Sequence, residues 1–101
     1  MLGLLEIGIK EDIINEMIEY NGITKVTNLN EKFDNVQKII ITFKELMFTE
    51  DTINSLLIYL IDLFFIDYDK ILLKIKEYDP SELSEIINNN YEEAYKLFMR
   101  E

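Results

Sequence analysis

Leu4 to Tyr20 aligns without a gap on Phe43 to Tyr59, and this internal echo constrains the chain more than any other feature. Six of the 17 paired positions are identical: Glu6/Glu45, Glu11/Glu50, Asp12/Asp51, Ile14/Ile53, Asn15/Asn54 and Tyr20/Tyr59. Most apolar positions answer apolar ones. Self-similarity at a fixed spacing, here 39 residues, marks helical units whose apolar faces are buried only when neighbours stack on them. The expected fold is therefore all-α: five or six helices forming two and a half helical hairpins in one compact domain. The units run over 4–42, 43–77 and 78–101.

Breaker content agrees with that reading, because one proline and three glycines in 101 residues leave little material for a loop-rich all-β fold. The first helix of unit one is expected over Glu11 to Tyr20, after a short helical or irregular start at Leu2 to Ile7. Asn21-Gly22 supplies its stop. A cap at Asn28 or Asn30 opens the second helix, whose Phe33, Val36, Ile40, Phe43 and Met47 recur at helical spacing. Unit two opens at Thr49, a good N-cap. Its first helix carries Ile53, Leu56, Leu57, Leu60, Leu63 and Phe64, and an apolar surface all round marks a central helix. Asp67-Tyr68-Asp69 starts the next helix, through Ile71, Leu72, Ile75 and Tyr78. Asp79-Pro80-Ser81-Glu82 is a strong helix start. Asn88-Asn89-Asn90 then caps a last helix from Tyr91 to about Arg100, with Ala94, Tyr95 and Phe98 facing inward.

The pattern carried by Leu4, Ile7, Gly8, Ile9, Ile14, Met17 and Ile18, and again by Phe43, Leu46, Phe48, Ile53, Leu56 and Leu57, resembles the helical repeats of the mitochondrial transcription termination factor family. The resemblance implies a helical-repeat fold. The proline usual in that family is absent after Tyr20 and after Tyr59. The family's basic groove also has no counterpart in a chain of net charge −10, so nucleic-acid binding is not carried over.

Twenty acidic side chains face ten basic ones, nine of them lysine. Such a surface repels nucleic acid and anionic membranes and attracts basic protein surfaces. Cysteine and histidine are absent, which removes thiolate ligands, imidazole ligands and the commonest general base. No enzymatic set, cofactor or metal site is expected. Asp67 and Asp69 read as helix-capping residues, since the glycine and distal glutamate of a calcium loop are missing. The N-terminus lacks a basic leader region, and the apolar run Leu56 to Ile66 is too short to span a bilayer. A cytoplasmic protein is expected.

Asp12, Glu16 and Glu19 fall on one helix face, with neighbouring carboxylates about 5–6 Å apart at Cβ, close to the spacing of strand phosphates. Glu82, Glu85, Glu92 and Glu93 extend that charge. Asp62 interrupts the most apolar run and either emerges between hairpins or marks a half-buried helix whose second face forms an interface, such as a homodimer through Leu56 to Ile66. Together these residues suggest a non-enzymatic, acidic protein-binding module. Its most concrete form is an inhibitor of a nucleic-acid-handling enzyme, of the anti-CRISPR or counter-defence type carried by phages. A helical-repeat nucleic-acid-binding or regulatory protein, and a carboxylate-dependent metal enzyme or sensor, are the alternatives. Copy one, with Glu16 and Glu19 where copy two has Ser55 and Ile58, reads as the outer, solvated hairpin.

Overall fold

α1 (Leu2–Glu6) and α4 (Phe33–Glu45) end in the same backbone device. The Ile9 amide donates to the Leu4 carbonyl at 3.1 Å and the Gly8 amide to Leu5 at 3.0 Å; the Phe48 amide donates to Phe43 and the Met47 amide to Lys44, both at 3.0 Å. These are the paired bonds of a Schellman stop. Each stop is followed by a buried apolar residue, Ile9 or Phe48. An extended residue, Lys10 or Thr49, then starts α2 (Glu11–Asn21) or α5 (Glu50–Tyr59). The sequence repeat is thus two copies of one helix–corner–helix unit. It is seen in a computed structural model that describes residues 1–100 and is helical, without strands, among them.

The two corners differ most in their left-handed residue. The stop requires positive φ, which Gly8 adopts at 99° without penalty and Met47 adopts at 70° with a Cβ in the way. Met47 is 75% exposed, so its side chain gives little packing in return. Met47→Gly is expected to raise stability by up to about 1 kcal/mol, read as a higher urea midpoint at unchanged slope. Gly8→Ala is expected to lower stability by a similar amount, and equal effects of opposite sign in the two copies would establish their equivalence.

α2 and α5 lie side by side and parallel. Lys10 and Glu50 pair at 3.5 Å at their N-terminal ends. At their C-terminal ends the Asn21 amide donates to the carbonyls of Met17 (3.0 Å) and Ile58 (2.8 Å). α5 is the more enclosed of the two: Ile53, Leu56, Leu57 and Ile58 are buried, against Ile14 and Met17 on α2. That is the outer and inner placement expected of the two copies. α3 (Ile23–Glu31) leads back to α4, and α6 (Tyr68–Ile75) packs on α4. α7 (Pro80–Asn89) buries Leu83 and Ile87. At the centre, the Phe43 ring meets Phe48, Phe64 and Phe98 with centroids 4.8, 6.0 and 5.8 Å apart.

Thr49 and Asp79 cap as expected, accepting from the amides of Thr52 and Glu82 at 3.1 Å each. Other elements depart from expectation. Asn28 and Asn30 lie inside α3 rather than capping a later helix. The Asn30 side chain instead accepts from the Leu4 amide at 3.0 Å and so serves α1. The helix expected through Phe64 stops at Tyr59, Leu60 leaves helical geometry, and Ile61–Phe65 forms a 3-10 segment. The break resets the phase of the chain, so that Ile61, Leu63 and Phe64 go inward and Asp62 goes out. It also strips the Ile58 carbonyl of its helical donor, and Asn21 supplies the replacement. Met47, expected on the inner stripe, lies beyond the end of α4. The last helix is only a turn and a short π-helical stretch, Tyr95–Met99. The wider winding there turns Tyr95 outward, 53% exposed, while Ala94 and Phe98 are buried as expected. Asp67 does not cap α6 with its side chain; Asn35 of α4 takes the Tyr68 amide at 2.9 Å.

Candidate functional site

The acidic residues of α2 define one long edge of the candidate surface. Asp12, Glu16 and Glu19 are all exposed, because burial of Ile14 and Met17 turns the opposite face to water. None of the three takes part in an ion pair among the described residues, where lysines pair only with Glu50, Asp62 and Glu93. Counting from Asp12 in steps of four leads through Glu16 to Tyr20, so the stripe runs directly into an aromatic side chain.

Tyr20 begins a ladder of three rings. It meets Tyr59, its counterpart in the second copy, edge-on at a centroid distance of 4.9 Å and an interplanar angle of 87°. Tyr59 in turn stacks on Tyr91 at 5.8 Å and 29°. Parallel packing of α2 and α5 brings the first two together, and the turn after α7 delivers the third. Tyr20 and Tyr59 keep 63% and 45% of their surface open to water despite these contacts. Beyond Tyr91, the residues Leu60, Asn90, Glu92, Glu93, Tyr95 and Lys96 line a shallow hollow of about 350 Å3.

Partial burial lifts the Tyr91 phenol above the usual tyrosine range, reinforced by the Glu92 carboxylate and by Tyr59 and Tyr20. A raised folded-state value means that Tyr91 favours folding while protonated. That contribution is complete below about pH 10 and is lost as pH rises through the higher folded value. In an ultraviolet titration, Tyr91→Phe is expected to remove a late-ionising step and to flatten the alkaline loss of stability.

No family model matches the chain, and neither does any curated protein or solved structure. Only the geometry of the chain itself bears on its function.

That geometry sorts the residues singled out in the sequence. Asp12, Glu16 and Glu19 share one surface with the ladder, and Glu92 and Glu93 flank its far end. Glu93 is held by Lys96 at 3.6 Å. Glu82 and Glu85 stand exposed on α7, whose end is tied to the second corner by Asn88: its amide donates to the Met47 carbonyl (3.0 Å) and its Oδ1 accepts from the Thr49 amide (2.9 Å). Asp62 emerges at the surface and pairs with Lys25 at 2.7 Å. Between Leu56 and Ile66, the run through which a homodimer was one possibility, Leu56, Leu57, Ile58, Ile61, Leu63 and Phe64 are buried in the protein's own core, and Tyr59 is the exposed large apolar side chain. Asp67 and Asp69 are exposed, and no group of three or more His, Cys, Asp or Glu side chains is placed to hold a metal ion among the described residues.

A second hollow, of about 210 Å3, lies between the two corners and is lined by Gly8, Ile9, Lys10, Lys44, Glu50 and Asn54 over an apolar floor. Its rim carries both signs of charge, and its one aromatic lining residue, Phe48, is buried in the floor. No described helix is long and apolar enough to cross a membrane.

Proposed function

We propose that this protein is a non-enzymatic, acidic binding module that occupies a basic protein surface, most concretely the groove in which a nucleic-acid-handling enzyme holds its substrate. The observation that carries this reading is the Asp12–Glu16–Glu19 stripe. Its carboxylates are exposed, unpaired among the described residues, and spaced on one helix face much as phosphates are spaced along a strand. The net charge of −10 extends the same field over the rest of the surface. Steering by such a field raises association rates and is screened by salt. An inhibitor of the counter-defence type, competing with DNA or RNA for a basic channel, would work in this way.

The test uses the immobilised intact protein and its Asp12→Asn/Glu16→Gln/Glu19→Gln variant, with proteins retained from a host extract at low salt. The reading expects retained nucleic-acid-binding proteins to be released by salt and by added duplex DNA, and to be lost from the variant. Retention that survives high salt, or is equal on the variant, would sink it. Direct binding of the protein to DNA or RNA at low salt would instead favour a nucleic-acid-binding repeat protein.

A further inference from the structure

We infer that the Tyr20–Tyr59–Tyr91 ladder, together with the carboxylates of Glu16, Glu19 and Glu92, is a docking site for the arginine side chains of a basic protein segment. The inference rests on the acidic-surface reading above and deepens it, because it names the side chain recognised and the residues that recognise it. Mutual packing accounts for the ring contacts, but it leaves Tyr20 and Tyr59 about half open to water. None of the three hydroxyls bonds to another protein group among the described residues. Tyr20 and Tyr59 are corresponding residues of the two copies, so the geometry of that pair is set by the packing of α2 on α5, and the turn after α7 adds Tyr91 to it.

Charge complementarity selects the occupant. Glu16 lies one helical turn before Tyr20 on the same face, and Glu92 adjoins Tyr91 in sequence, so aromatic faces and carboxylates alternate along the surface. Phosphates are repelled by that arrangement, which argues against stacked nucleobases of DNA or RNA. A cation is attracted both by the carboxylates and by the ring faces. Between the two basic side chains, arginine fits better. Its guanidinium is planar and weakly hydrated, so it lies flat on a tyrosine face while its edge N–H groups still reach a carboxylate. A lysine ammonium gives up a tight hydration shell to make the same contact.

The experiment measures fluorescence anisotropy of a labelled Gly-Ser-Arg repeat peptide and its Gly-Ser-Lys counterpart against the intact protein at low salt. The expected result is a preference for the arginine peptide of about threefold for each stacked guanidinium. Tyr20→Ser and Tyr59→Leu should lower arginine-peptide binding to the lysine level and leave the lysine peptide within about twofold. Tyr20 is so exposed that its replacement does not threaten the fold, and Tyr59→Leu keeps apolar bulk on α5. Glu16→Gln with Glu19→Gln should weaken both peptides together. Equal affinity for the two peptides, or equal losses for both in Tyr20→Ser, overturns the ladder while leaving the acidic surface standing. Failure of both peptides to bind removes the acidic reading as well. Binding of a single-stranded oligonucleotide that Tyr59→Leu abolishes, or a dimer in sedimentation that the same variant dissolves, would give the ladder a different occupant and refute the inference.

Discussion

Phe43→Ala is expected to be the most damaging single truncation, lowering stability by about 3–5 kcal/mol. The side chain is fully buried and packs against three other phenylalanines, Phe48, Phe64 and Phe98. Those partners come from the second corner, the 3-10 segment and the C-terminal turn, three elements that hold few other aromatic contacts in common. Removing the ring opens a void that the backbone cannot close, since the Phe43 carbonyl is also the acceptor of the Schellman bond from Phe48. A domain of this size has about 5–15 kcal/mol in total, so the variant sits near the edge of folding, with a Tm lower by about 15–30 °C. Phe43→Leu keeps most of the volume and is expected to fall well short of that loss. Thermal unfolding followed by circular dichroism decides the matter; a loss below about 1 kcal/mol for the alanine variant would mean that the ring cluster is not the organising centre.

The parts of the fold legible in the sequence are those where local signals and packing agree. The echo between Leu4–Tyr20 and Phe43–Tyr59 announces two equivalent units, and Thr49 with Glu50 and Asp51 announces the start of α5. The stop that the two units share stayed hidden, because Met47 carries no glycine signature and continues the apolar spacing of α4. α3 was hidden because Ile23 to Glu31 is rich in β-branched residues and asparagine, which are poor helix formers alone. Burial of Val26 and Leu29, and the Lys25–Asp62 pair, hold it in place from outside. The break after Tyr59 was hidden for the opposite reason. An apolar run gives no phase information when nearly every residue is apolar, so an outward Asp62 was one of two readings of the sequence, and the helix break at Leu60 that turns it out was not among them.

The candidate site divides in the same way. The acidic stripe followed from helical spacing on α2 and is exposed as expected. The ladder did not follow, although the Tyr20/Tyr59 identity was the one trace of it in the sequence. An identity between repeats says that two residues occupy corresponding places; only parallel packing of the two helices makes them touch. Tyr91 carries no such trace, because its ring reaches Tyr59 through a turn whose direction is set by the burial of Ile87 and Ala94. Tyr95, expected inward, fails for want of a regular helix to carry it there. Side chains placed by a regular helix could be read, whereas those placed by an irregular C-terminal segment could not.

Asn35→Ala is expected to produce the largest loss of any polar substitution, about 2–3 kcal/mol. This one side chain, half-buried on α4, donates to the carbonyls of Phe64 (3.2 Å) and Ile66 (2.8 Å) and accepts from the Tyr68 amide (2.9 Å). Those groups belong to the end of the 3-10 segment and the first residue of α6, where neither helix supplies partners of its own. Asparagine suits the position because it alone presents two donors and an acceptor at that length. Asn35→Asp provides the sharper test. The carboxylate still accepts from Tyr68 but turns lone pairs toward two carbonyl oxygens, so at neutral pH it should be at least as unstable as the alanine variant. Protonation restores a donor. The aspartate is therefore held above the ordinary carboxyl pKa in the folded state, and its deficit narrows as pH falls through that raised value. The alanine variant has nothing to titrate and should not share the trend. Parallel urea curves for the two variants at neutral and mildly acidic pH, with hydrogen exchange at the Tyr68 amide, would separate a lost donor from a simple loss of packing.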